Sequence, residues 1–180
     1  LHVCQSALSK LYSRGFLSAY SEEQFDRLES YTTYPTIWAP YYTLHKIMAG
    51  LRDSFLLANN EEALQVYTEL ADWVFRRLSR LPRQQLDKMW SLYIAGEFGG
   101  MNEVMADLYI LTGDERYKTT AKLFDNVKLF LPLEQNLNTL GTLHANQHIP
   151  QVIGAVRMYK AMGDPRYYTI AKNFWDMVTN

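Results

Sequence analysis

A small set of side chains has the types and settings that chemistry uses. His144 and His148 stand four residues apart, the spacing at which two imidazoles on one helix face can share a metal ion. Asn146 and Pro150 argue against a continuous helix there. The stretch reads instead as a loop leading into a helix that begins at Pro150 and Gln151, and no third metal ligand is evident nearby. The two rings therefore suit the lining of a polar cleft. Asn102 and Glu103 follow Gly99-Gly100 and open another helix, where the dipole favours an acidic group. His45 can donate to a bound ligand or pair locally, and Glu97 can serve a site or sit as a solvated loop charge. Cys4 is the sole cysteine, so the chain forms no internal disulfide.

These groups need a frame, and the sequence repeats one. Met101, Val104, Met105, Leu108 and Leu111 recur at spacings of three and four and predict an amphipathic helix. Gly113 suits the left-handed residue that ends it, and Asp114 suits the N-cap of the next helix. The series Leu108-Tyr109, Gly113-Asp114, Arg116-Tyr117, Ala121 and Phe124 returns 50 residues later as Met158-Tyr159, Gly163-Asp164, Arg166-Tyr167, Ala171 and Phe174. Pro165 follows the second capping Asp, at the first helical position where proline is favoured. A worn third copy places Asn59-Asn60 at the turn, after Leu51, Phe55 and Leu57. A two-helix repeat of this length signals a helical array or a closed ring of hairpins.

Taken in order, the chain opens with a helix over residues 1–13, with Val3, Ala7, Leu8 and Leu11 on one face. Residues 15–29 are too irregular to place. Residues 31–37 have loop composition. A helix starts at Trp38-Ala39-Pro40 and buries Leu44, Ile47, Met48, Leu51 and Phe55. Asn60 caps the next, which buries Ala63, Val66, Leu70, Trp73 or Val74, and Leu78. Leu81-Pro82 breaks it, residues 84–90 form a short amphipathic piece, and residues 128–147 show no period. The expectation is an all-α fold of at least six helices in antiparallel hairpins, forming one helical domain over residues 1–180. Formal net charge is -1, which gives no reason to expect a nucleic-acid or acidic-membrane partner. No apolar run reaches the roughly 18 residues of a membrane span. Aromatic residues make up 14% of the chain, and such rings either line sugar clefts or fill helix interfaces.

Three blocks now combine. Trp38-Ala39-Pro40-Tyr41-Tyr42-Thr43-Leu44-His45-Lys46-Ile47 with Ala49-Gly50-Leu51 is the first. Gly99-Gly100-Met101-Asn102-Glu103-Val104 is the second, and Leu143-His144-Ala145-Asn146-Gln147-His148-Ile149-Pro150 the third. With Cys4-Gln5 and Gly15-Phe16-Leu17-Ser18-Ala19-Tyr20, in this order, they resemble the β-L-arabinofuranosidases of glycoside hydrolase families 127 and 146. Gln147 stands where that group usually shows Thr, Phe16 where it shows Tyr, and Ser21 where Pro is common.

The resemblance implies an (α/α)6 toroid, of which this chain would form roughly the first half. It implies that His45, Asn102, Glu103, His144 and His148 bind substrate in a cleft where the loops converge. It also implies a retaining hydrolase with a zinc-held cysteine thiolate as nucleophile and a glutamate as acid/base. In the family those residues lie C-terminal to the region matched, and Cys4 corresponds to a helix-borne Cys-Gln position. No catalytic or zinc residue is therefore assigned here, and zinc is expected only in the full-length enzyme. A carbohydrate substrate, association of the truncated ring with itself, and a secreted or periplasmic location are the further expectations. The alternative is a helical-repeat interaction module without catalysis, which would leave the same polar groups dispersed.

Overall fold

The computed structural model describes residues 1–179, apart from the side chain of Thr142. It is all-α, and no strand occurs among the described residues. The chain divides into two compact units, Leu1–Phe98 and Gly99–Asn180.

The first unit holds α1 (His2–Leu8), α2 (Glu22–Glu29), α3 (Pro40–Ala58), α4 (Glu61–Leu78) and α5 (Arg83–Trp90). α3 and α4 form a hairpin across Asn59, in the left-handed region at φ 51°, and Asn60, whose side chain accepts the Ala63 N–H. The worn third copy thus keeps the turn, with asparagine as the non-glycine residue that tolerates this region best. The core is a chain of ring edges. Phe25 meets Tyr41 and Trp73 at 4.9 Å each, Tyr41 meets Trp90 at 5.4 Å, and Trp90 meets Phe98 at 5.1 Å. Arg77 of α4 lies across the Phe25 and Trp73 rings and pairs with Asp26 and Glu29 of α2. That ion pair and the buried Phe25 and Leu28 dock α2.

Two expectations fail in this unit. Residues 22–29, which the pattern could not place, are helical. α1 ends at Leu8, and its supposed apolar face is turned out, with Val3 82% and Leu11 78% exposed. Gln5 is what α1 buries. Its Nε2 donates to the carbonyls of Gly15 (2.9 Å) and Val66 (3.2 Å), and two buried backbone acceptors outweigh the exposed valine.

The second unit holds α6 (Met101–Thr112), α7 (Glu115–Leu123), α8 (Val127–Glu134), a single 3-10 turn at Leu140–Thr142, α9 (Ala145–Met162) and α10 (Pro165–Thr179). α6/α7 and α9/α10 are the two hairpins of the 50-residue repeat. α6 packs on α9, and α8 on α10. Gly113 (φ 73°) and Gly163 (φ 69°) end α6 and α9 as left-handed caps. Asp114 and Asp164 accept the N–H groups of Arg116 (2.9 Å) and Arg166 (3.0 Å). α8 was not legible in sequence because Pro132 sits inside it, yet Leu129, Phe130 and Leu133 give it a buried face. α9 starts at Ala145, ahead of the expected Pro150, and Pro150 lies within it. No helix among the described residues is long and apolar enough to cross a membrane.

Candidate functional site

The first turns of α9 bring the histidines together. His144 is exposed and occupies the N-cap, while His148 is buried one turn on. His148 Nδ1 lies 2.8 Å from the His144 carbonyl. A carbonyl only accepts, so Nδ1 carries a proton and donates. Both histidines line a cavity of about 150 Å³ with Leu140, Leu143, Ala145, Ile149, Phe174 and Val178. This corrects the expected loop over residues 144–149. The imidazoles share a helical turn, but His148 Nδ1 is committed to backbone.

What keeps a proline-bearing helix start in place is a buried amide network. Pro150 has no N–H to give the Asn146 carbonyl, a loss that costs roughly 3 kcal/mol in a helix interior. Against this, Gln151 donates from Nε2 to the Gln147 carbonyl (2.9 Å) and accepts at Oε1 from Asn126 (3.1 Å). Its own carbonyl accepts from Asn102 Nδ2 (2.9 Å). All four amide residues are buried. Asn102 fits only because residue 154 is glycine. A Cβ there would lie 2.1 Å from Asn102 Oδ1. Asn102 is fully enclosed, so it fastens α6 to α9 where the histidines sit. Glu103, beside it in the first turn of α6, is half-buried.

His45 lies on α3 in the first unit and is 6% exposed. Burial, with the nearby charges of Lys46 and Arg52, depresses its pKa to about 4, so the ring is neutral at neutral pH. Structure thus groups His144 with His148 and links Asn102 to the same helix start. Sequence reasoning missed Asn126, Gln151 and Gly154. The one signal was spacing: Gln147, Gln151 and Gly154 fall at four and three, a single helical face carrying two amides and a gap.

A family model described as Beta-L-arabinofuranosidase, GH127 catalytic domain, matches residues 1–180. The chain belongs to this family. Comparison with curated proteins gives no match. The blocks around Trp38, Gly99 and His144 lie within the matched residues, at or just before the starts of α3, α6 and α9.

Zinc chemistry finds no seat among these residues. No group of three or more His, Cys, Asp or Glu among the described residues is arranged to hold a metal ion. Cys4 is exposed, and nearby His2 has its Nδ1 on Glu62 Oε1 at 2.6 Å. The described residues do not fit a zinc site.

Proposed function

We propose that this GH127 chain supplies part of the substrate pocket of a glycoside hydrolase acting on β-linked L-arabinofuranosides of plant glycans. The family match along the whole chain supports the reading most. His144 and His148 are assigned to sugar hydroxyls. The bond from Nδ1 to the His144 carbonyl holds the His148 ring in the α9 turn, on the cavity it lines with His144. Neutral His45 can likewise hold a hydroxyl without attracting a counter-ion. Glu103 accepts from hydroxyls, and Asn102 acts through Gln151 by fixing the α9 turn. In this reading the nucleophile, the acid/base and zinc come from sequence outside residues 1–180, in keeping with the family resemblance.

The test pairs binding with turnover. Residues 1–180 should bind methyl β-L-arabinofuranoside by calorimetry, more weakly in His144→Ala/His148→Ala, and should not hydrolyse an aryl β-L-arabinofuranoside with Zn²⁺ and a reductant present. Failure to bind contradicts the pocket assignment. Turnover that survives Cys4→Ser places unrecognised chemistry within these residues, and turnover abolished by Cys4→Ser makes Cys4 the nucleophile.

A further inference from the structure

Among the described residues, two pairs of exposed aromatic rings are in contact. Tyr159 and Tyr168 stand 5.4 Å apart on α9 and α10. Their 50-residue counterparts, Tyr109 and Lys118, also touch, as a cation–π contact at 5.3 Å. That pair is accounted for as a brace of the repeated hairpin. Tyr34 and Trp38 have no such explanation. They lie in the loop before α3, their rings edge to face at 5.0 Å, and they are 40% and 55% exposed.

The loop is built to hold them out. Its start is pinned by Lys88 Nζ, 3.7 Å over the Tyr31 ring. Its end is pinned by Ile37, Ala39 and Pro40, all buried, so Trp38 is the one residue in four that faces solvent. Thr36 and Ile37 N–H groups bond back to the Thr33 carbonyl, closing the turn. Tyr31 (φ 63°) and Ala39 (φ 35°) both sit in the left-handed region, which costs a residue with a Cβ backbone energy. Such strain persists only where the surroundings enforce it, and it gathers at ligand sites. Here it bends the chain so that Ile37 and Ala39 go in while Trp38 stays out.

We propose that Tyr34 and Trp38 form a stacking platform for the C–H face of a furanose ring, a subsite on the approach to α3. The proposal rests on the arabinofuranoside reading above. An indole face offers a broad apolar area with little rotamer entropy to lose, and Nε1–H adds a donor for a ring hydroxyl. Ala39 is a positioning residue that acts through Trp38.

The chain has four tryptophans, of which Trp73 and Trp90 are buried and Trp175 is exposed on α10. Their indole N–H resonances separate the outcomes of titrating ¹⁵N-labelled chain with methyl β-L-arabinofuranoside. Trp38 should shift and Trp175 should not. Trp38→Ala should bind about tenfold more weakly, with Trp38→Phe between it and the parent. Ala39→Gly relieves the strained φ, so it should unfold no earlier than the parent yet bind more weakly. Unchanged affinity in Trp38→Ala overturns the platform while leaving the arabinofuranoside reading intact. Absence of binding to the parent chain overturns that reading and the platform together.

Discussion

The hairpins α6/α7 and α9/α10 share a turn and differ in almost everything attached to it. In both, the glycine N–H bonds the tyrosine carbonyl four residues back at 2.8 Å, and Tyr117 and Tyr167 are each 1% exposed. Beyond the turn they diverge. Arg116 folds back on its own cap, Asp114, at 2.6 Å and stays at the surface. Arg166 leaves its cap and reaches Asp125 (2.7 Å) and Glu134 (2.9 Å), tying α10 to the segment around α8. At the other end, Met101 opens α6, and its 50-residue counterpart is Gln151. Ala145–Pro150 is therefore an extension of α9 with no counterpart in α6, and it carries His148. The repeat supplies a frame, and the candidate site lies in what was added to one copy.

The largest expected effect comes from breaking the contact that anchors this extension. Gly154→Ala should cost about 4 kcal/mol, combining overpacking with loss of the buried Asn102–Gln151 bond. Asn102→Ala/Gly154→Ala should recover part of it in a urea double-mutant cycle. A cost under about 0.5 kcal/mol, the range of an ordinary surface change, would show that Asn102 does not hold α9.

Next in size is a pH effect on the third hairpin, where His45 sits. Its folded pKa of about 4 lies below the ordinary 6.5. Between those values the unfolded chain takes up a proton that the folded chain refuses, so stability falls as pH drops through this window. The loss should reach about 3 kcal/mol in the parent and be absent from the pH curve of His45→Gln. A parent and variant with parallel pH curves would contradict a buried, neutral His45.

Smaller again is the contrast between the two arginines. Arg166→Ala leaves the buried Asp125 its Tyr167 hydroxyl bond but takes away the Arg166 ion pair and should cost about 2 kcal/mol, whereas Arg116→Ala removes an exposed pair and should stay within about 0.5 kcal/mol. Equal losses by thermal unfolding would mean that the copies have not diverged in the way described.

The shared frame was legible in sequence because it is local. Gly113, Gly163, Asn60 and the two capping aspartates act on residues within one turn of themselves, so spacing alone finds them. The additions were not, because distant residues decide them. Pro150 signals a helix start by every local rule, yet amides from Asn102 and Asn126 hold the helix open ahead of it. Pro132 hides α8 in the same way. Val3 and Leu11 mark an apolar face, and Gln5 overrules them with bonds to Gly15 and Val66. At the site, the histidine spacing was visible. The commitment of His148 Nδ1 to a carbonyl was not, because it depends on where α9 begins.

The central claim is the proposal that His144 and His148 of α9 bind an arabinofuranoside. The chain has four histidines, and His2, on Glu62 near the start of the chain, is an internal control. Selective ¹⁵N-histidine labelling, read during titration with methyl β-L-arabinofuranoside, tests the claim directly. The account predicts saturable shifts of the His144 and His148 ring nitrogens with His2 unmoved. Shifts confined to His2, or none at saturating sugar, would contradict it.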